Sequence, residues 1–263
     1  MVKVIVLQAA GTNCDKETAY AFSQHTEEID LVHINELKSG RKKLSAYHIL
    51  AIPGGFTYGD DIAAGKILAN ELKCNLKEDL KKFIKKGKLI IGICNGFQVL
   101  VKAGILPDVK SLTQKATLVL NDSDKFEDRW VYLKKNPSSK CIWTKNIDKL
   151  IQLPIAHAEG KFIMDKKDLA ALKKNEQIVF QYVNTKGNLA GYPFNPNGSM
   201  ESIAAITDKT GLVLGIMPHP ERFIRKYQHP HWQRLKKKKL KGDGNLIFKN
   251  GIDYVKNNLI KNR

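Results

Sequence analysis

The chain has 263 residues, 43% of them hydrophobic, and a formal net charge of +18. That length suits one large α/β domain or at most two small ones. No apolar run reaches the roughly 20 residues of a membrane span. The positive charge admits a nucleic-acid partner. Against that, only six of the 44 basic residues are arginine, and the lysines are spread over polar faces such as LKEDLKKFIKKGK (76–88). Specific phosphate or base recognition favours clustered Arg with interleaved aromatics, so nucleic-acid binding is not expected.

The N-terminal run VKVIVLQA (2–9) is broken by Gln8 and followed by GTNCDKE, a turn and a helix start. It reads as a first strand rather than a signal peptide, which points to the cytoplasm. Cys14, Cys74, Cys94 and Cys141 are widely spaced and read as thiols. Apolar β-branched runs then alternate with helical periodicity. Helix is expected over 15–25, 61–72, 77–87 and 95–104, and strand over 30–35, 47–53 and 88–93. KLIIGI (88–93) is almost wholly apolar, the mark of a central parallel strand covered on both faces. After Pro107 the pattern changes to short strands at ATLVLND, RWVYLKK, IQLPIAH, IVFQYVN, SIAAITD and LVLGIMP, with YPFNPNGS (192–199) as a turn-rich loop. A basic connection precedes an amphipathic helix over 245–260. The pattern predicts one α/β domain spanning 1–263, a mostly parallel central sheet flanked by helices, and a helical C-terminal extension over about 226–263.

Gly92-Ile93-Cys94-Asn95-Gly96 has the form of a nucleophile elbow. A nucleophile on a tight strand-to-helix turn takes a strained backbone, and side chains two residues either side would collide, so glycine fits there. The thiol would stand at the C-terminal edge of the sheet, where open α/β folds place ligands. The helix N-terminus behind it favours thiolate and offers N–H groups to an oxyanion. A buried structural cysteine is the competing reading. A base is needed, and among seven histidines His219 stands apart. In GIMPHPER it follows an apolar strand, and Pro220 biases it towards extended backbone. Glu221 then points to the same side and can orient the ring, giving a Cys94–His219–Glu221 triad. Gly54-Gly55 in PGG, after another strand, forms a bare turn at the same edge. His-x-Glu also occurs in zinc deaminases, but their P-C-x-x-C is missing, as are HExxH and Cys/His repeats, so no metal is expected.

PGG, GxCxGxQ and HPE in this order resemble the class I (triad) glutamine amidotransferases, a flavodoxin-like fold. GTNCD, PGGFTYGDDIAAGKI, GICNGFQVLVKAGILP, LNDSDKFEDRW, PIAHAEGKF, NPNGS and GIMPHPER, over residues 11–222, are similar to the glutaminase subunits of phosphoribosylformylglycinamidine synthase. The resemblance implies that Cys94 attacks the glutamine side-chain amide, forms a thioester and releases ammonia. It also implies an oxyanion hole at Gly55 and Asn95, with Gln98 holding glutamine. Arg129, His157 and Glu159 would be possible contacts. The implied partners are the large synthetase subunit and a small accessory subunit. ATP and Mg²⁺ would belong to the synthetase, since this chain has no G-x-x-x-x-G-K-[ST] loop. GFTYGDD (55–61), Arg222 and Arg225 would rim the docking surface. Three departures are visible: Gln8-Ala9-Ala10 where Arg-Phe-Pro is common, Ala158 where the family favours glycine, and acids at Glu127 and Asp128. A freestanding cysteine hydrolase on a related fold is the runner-up, though those usually carry His directly after the nucleophile, where this chain has Asn95. A basic nucleic-acid-binding or scaffolding subunit is the alternative of another class, and the complete triad argues against it.

Overall fold

The first 107 residues fold into four strands and five helices, and most of them lie where the apolar periodicity puts them. A computed structural model describes residues 1–147, 150–235 and 240–260. In chain order these first elements are β1 (Lys3–Gln8), α1 (Asp15–Ser23), β2 (Glu28–His33), α2 (Ile34–Lys38), β3 (Ile49–Ile52), α3 (Lys66–Asn75), α4 (Lys77–Lys85), β4 (Leu89–Ile93) and α5 (Asn95–Lys102). The remainder comprises β5 (Ala116–Val119), β6 (Glu127–Lys135), β7 (Leu150–His157), β8 (Lys161–Met164), α6 (Lys166–Lys174), β9 (Ile178–Val183), β10 (Ile203–Thr207), β11 (Val213–Ile216) and α7 (Asn245–Val255).

Nine strands form one sheet in the order β2-β1-β3-β4-β11-β10-β9-β6-β7, while β5 and β8 pair separately. From β2 to β11 every pairing is parallel. From β11 to β7 every pairing is antiparallel. The parallel half is the core read from the sequence, and the short strands after Pro107 build the antiparallel wing. Strands β3, β4, β10 and β11 are buried throughout. Burying each Ile or Leu side chain stabilises the fold by about 1.5–3 kcal/mol.

Helix α5 packs on β3, β4 and β11, and α3 packs on α5. Helix α7 packs on α1. Phe22 meets Phe248 edge-on at 4.9 Å and Trp143 at 6.4 Å, and the Trp143 indole N–H donates to the Leu212 carbonyl at 3.1 Å. The C-terminal helix is therefore part of the core. Beyond Val255 it continues as a π-helical turn over Lys256–Ile260.

Two departures from the expected elements matter. Residues 61–65 are not helical, because the Asp60 carboxylate accepts the Gly65 N–H at 3.1 Å and closes a turn, so the helix begins at Lys66. Helices α2 and α6 and strand β8 were not anticipated: α2 is five residues long, β8 is four, and α6 buries only Leu169 and Leu172. Among the described residues no helix is long and apolar enough to cross a membrane.

Candidate active site

Strand β4 is the central parallel strand, between β3 and β11, and Cys94 is the residue at which it turns into α5. Its backbone sits at φ +52°, ψ −106°, a sparsely populated region that costs on the order of 1–3 kcal/mol. The surrounding packing enforces it: the Cys94 N–H donates to the Ile216 carbonyl at 2.8 Å. Glycine is required on both sides. A Cβ on Gly96 would lie 1.9 Å from the Ile52 carbonyl oxygen, and one on Gly92 would lie 2.5 Å from the Gly96 carbonyl oxygen. The thiol is 6% exposed and points towards the Ala156 carbonyl, 3.7 Å away on β7.

His219 follows β11, beside the nucleophile strand. Its backbone N–H donates to the Pro154 carbonyl at 2.8 Å, which ties the loop to the antiparallel wing. Its Nδ1 is 2.6 Å from Glu221 Oε1, and both side chains are buried. Burial alone would lower the imidazole pKa. The Glu221 carboxylate and the neighbouring Cys94 and Cys14 outweigh it, so the pKa of His219 stands well above its ordinary value. His219 Nε2 is buried and hydrogen-bonds to nothing.

The PGG loop closes the same edge. Gly55 bridges to Thr12, and the Gly54 carbonyl accepts the Cys14 N–H at 3.2 Å, joining the loop after β1 to the loop after β3. A Cβ on Gly54 would lie 2.9 Å from His219 Cε1, 3.2 Å from Cys14 Sγ and 3.5 Å from Cys94 Cβ. Three reactive side chains thus converge on one bare α-carbon. The Asn95 N–H, at the first turn of α5, is among the four donors of that helix without an intrahelical acceptor.

A cleft of about 200 Å³ opens on Cys94, lined by Gly55, Phe56, Asp60, Gln98, His157 and Glu159 among others. Gln98 is fixed within it: its Nε2 donates to the Glu159 carbonyl at 2.6 Å, and its Oε1 accepts from Asn95 Nδ2 at 3.0 Å. Glu159 Oε2 accepts the Ala64 N–H at 3.2 Å and pairs with Lys102 Nζ at 3.6 Å. Burial raises the Asp60 pKa, opposed by hydrogen bonds from Gly65 and Asn95. His157 is buried, with Nδ1 3.1 Å from Asn121 Oδ1. Burial, reinforced by the nearby His219 charge, pulls its pKa down to about 3, so it is a neutral wall of the cleft.

Of the residues singled out in the sequence, the fold brings Cys94, His219, Glu221, Gly54, Gly55, Asn95, Gln98, His157 and Glu159 to one edge of the sheet. Arg129 does not line the cleft. It pairs with Glu127, two residues back on the same face of β6, and donates to the Tyr192 hydroxyl at 2.9 Å. Arg222 is no free rim residue either, since its Nη2 donates to Cys14 Sγ at 3.2 Å and its Nε lies 3.6 Å from Glu17. Asp60, Lys102 and Cys14 were missed as site residues. The repeated acids of GDD were a signal for Asp60. For Lys102 and Cys14 no sequence spacing announced the contact. The chain has no Cys/His repeat, yet the fold gathers Cys14, His219 and Glu221 so that their ligand atoms lie within 4.8 Å of one another.

Residues 1–255 match the family of CobB/CobQ-like glutamine amidotransferase domains. The chain is 46% identical to the phosphoribosylformylglycinamidine synthase subunit PurQ of Methanococcus maripaludis, over 96% of this chain and 97% of the relative. It is also 46% identical to the PurQ of Dehalococcoides mccartyi, over 97% and 98%. Among solved structures it resembles a chain of PurLQS from Thermotoga maritima, with 29% identity and a TM-score of 0.74 over 97% of this chain and 99% of that one. The chain belongs to the CobB/CobQ-like glutamine amidotransferases and, within them, to the PurQ family.

Proposed function

We propose that Cys94 is the nucleophile of a glutaminase, with His219 as its proton relay and Glu221 as the carboxylate that orients His219. The protein is the glutamine amidotransferase subunit of phosphoribosylformylglycinamidine synthase, and it releases ammonia from glutamine for purine biosynthesis. The observation that carries the assignment of roles is the buried His219 Nδ1–Glu221 Oε1 contact of 2.6 Å beside a thiol on a positive-φ elbow.

Each step follows from the geometry. The Cys94 sulfur adds to the side-chain amide carbon of glutamine, and the amide oxygen becomes an oxyanion. The Asn95 N–H, and the Gly55 N–H opposite, are the donors for that oxygen. His219 gives its Nε2 proton to the leaving nitrogen, the C–N bond breaks, and ammonia departs from a γ-glutamyl thioester. Water then enters, His219 takes its proton, and hydrolysis returns glutamate and the thiol. Holding Nδ1 against Glu221 leaves Nε2 as the only ring nitrogen free for both transfers. The cleft presents the carboxylates of Asp60 and of Glu159, the latter paired with Lys102 behind it, and the Asp60 carboxylate suits the α-ammonium group of glutamine. Gln98 and neutral His157 complete the wall.

The partner is the large synthetase subunit, together with the small subunit of the PurLQS assembly. ATP and Mg²⁺ serve the amidine-forming step on the synthetase, and nothing in the thioester chemistry calls for a cofactor on this chain. The four unpaired cysteines support a cytoplasmic location, and the core packing of α7 supports a single domain. The test is ammonia release from glutamine by the chain alone and with its synthetase, in wild type and Cys94→Ala. Undiminished hydrolysis by the variant removes Cys94 from the mechanism.

A further inference from the structure

Lys102 is a buried charge beside the cleft that the cleavage steps do not use. Its side chain is 4% exposed, at the end of a helix whose eight residues are all buried. Asn95, Gln98 and Lys102 stand at i, i+3 and i+7, so they share one face of α5. That face grips the loops that wall the cleft. Lys102 Nζ donates to the Ala64 carbonyl at 2.6 Å and lies 3.6 Å from Glu159 Oε2. Glu159 Oε2 in turn accepts the Ala64 N–H at 3.2 Å, so the ion pair holds Ala64 by both its N–H and its carbonyl. The Gln98 amide donates to the Glu159 carbonyl at 2.6 Å from one turn nearer the nucleophile. Asn95 Nδ2 and the Gly65 N–H, each 3.1 Å from Asp60 Oδ1, fix the other carboxylate of the cleft. Those two donors are uncharged, whereas Glu159 has an ammonium behind it.

We propose that Lys102 is a positioning residue of the glutamine site: by neutralising Glu159 and holding Ala64 it leaves Asp60 as the carboxylate that meets the α-ammonium group, and so sets the preference of the cleft for an α-amino acid over an analogue without the amino group. The proposal rests on the glutaminase reading, with Asp60 as the partner of the ammonium. Two carboxylates in one cleft disfavour each other's ionisation, and a cation beside them favours it. Burial raises the Asp60 pKa and the Glu159 charge adds to the rise, while the Gly65 and Asn95 hydrogen bonds and the Lys102 charge oppose it. Burial lowers the Lys102 pKa, Glu159 and Asp60 hold it up, and Lys66 at the start of α3 pushes it down. The remaining titrating groups at the cleft are His157, neutral down to about pH 3, and the Cys94–His219 pair. As the pH falls, Asp60 takes up a proton and loses its hold on the ammonium. Removing the Lys102 charge moves that loss to higher pH. Removing the Glu159 charge moves it to lower pH, because a like charge goes and Lys102 is left beside Asp60.

The test uses the assembled synthase and follows ammonia release from about pH 5 to about pH 8 with two substrates, glutamine and glutaramate, which lacks the α-amino group. The quantity read is the ratio of kcat/KM for glutamine to kcat/KM for glutaramate. Titration of Cys94 and His219 affects both substrates and cancels in the ratio, so its acid limb reports recognition of the ammonium. Lys102→Met keeps the length of the side chain without its charge. It should move the limb up by about one pH unit, the low end of what a neighbouring charge does, so the ratio falls about tenfold on the limb and little near pH 8. Glu159→Gln, whose amide oxygen can still accept the Ala64 N–H, should move the limb down. The double variant should bring it back towards wild type. Lys85→Met, which removes an exposed charge on α4, should leave the limb in place. A purely structural role for Lys102 would lower the ratio equally at every pH and would not be reversed by Glu159→Gln, and either result overturns the proposal. If Lys102→Met fails to fold, the direction of the shift in Glu159→Gln decides, and an upward or absent shift overturns it. A limb present in the wild type but unmoved in the variants refutes the role of Lys102 and leaves the glutaminase reading standing. A flat wild-type ratio refutes Asp60 as the ammonium partner, and the proposal with it. A synthase that cleaves neither substrate refutes the glutaminase reading itself.

Discussion

His157 makes the protein acid-sensitive in a way that can be calculated. Its imidazole is buried and neutral, with a pKa pulled down to about 3, whereas in the unfolded chain it titrates near 6.5. Well above pH 6.5 neither state binds the proton and nothing is lost. As the pH falls through 6.5 the unfolded chain gains a proton that the folded one refuses, so stability declines until the folded group titrates too. Between pH 7 and pH 5 the difference is about 1.4 pH units' worth of proton binding, or roughly 2 kcal/mol at 1.36 kcal/mol per unit. The perturbation is His157→Gln, which keeps an amide donor for Asn121 Oδ1 and cannot titrate. Urea unfolding at both pH values gives the two stabilities. The wild type should lose about 2 kcal/mol more than the variant over this interval. His219 contributes in the opposite sense: its raised pKa adds stability that is complete below 6.5 and is lost as the pH rises through its folded value. That contribution is common to both proteins and cancels in the comparison. Equal pH slopes would mean that His157 takes up a proton in the folded state, and its role as a neutral wall would be refuted.

Cys94→Ala should abolish glutamine-dependent synthesis by the assembled synthase while ammonium-dependent synthesis persists, measured as product formed from each nitrogen source. His219→Asn should slow thioester formation by about 10²–10⁴-fold and Glu221→Gln by less, read in single-turnover experiments; normal turnover by His219→Asn would assign the base elsewhere. Asp60→Asn should raise KM for glutamine roughly ten- to a hundredfold, the worth of one charge-assisted hydrogen bond. It should leave hydrolysis of glutaramate, which lacks the α-amino group, little changed. A parallel loss on both substrates would refute the pairing of Asp60 with the α-ammonium.

The elbow was legible because its requirements are local: a buried strand, a helix, and two glycines that sterics alone demand. The contact of His219 with Glu221 was legible because Pro220 and the two-residue spacing constrain backbone and side chain together. The loop between β3 and α3 was misread, since alternating Ala and Ile in DIAAGKI satisfies helical periodicity while one Asp60 hydrogen bond decides for a turn. Short α2 and β8 carry too few residues for any period to show. The contact of Cys14 with His219 joins residues about 200 positions apart in sequence, through the bridge of Thr12 to Gly55, and no local pattern encodes such a meeting. Arg129 failed for the converse reason: the motif named it, but its nearest opposite charge is its own neighbour on β6.

Strand β4 pairs on one side with β3, made just before it, and on the other with β11, where Gly92 faces Gly215. On the ribosome these partners arrive at very different times. Cys94 emerges early, with half of its strand edge open. The 125 residues that separate it from His219 take about 6–25 s at 5–20 residues per second. Until then the nascent chain carries the thiol without His219 beside it and with the sheet unclosed. The same late strand that closes the second edge of β4 is followed directly by His219 and Glu221, so sheet pairing and assembly of the candidate triad come together, with α7 still to dock. A chain ending before residue 213 leaves one edge of β4 unpaired, with Cys94 and no His219 or Glu221 beside it.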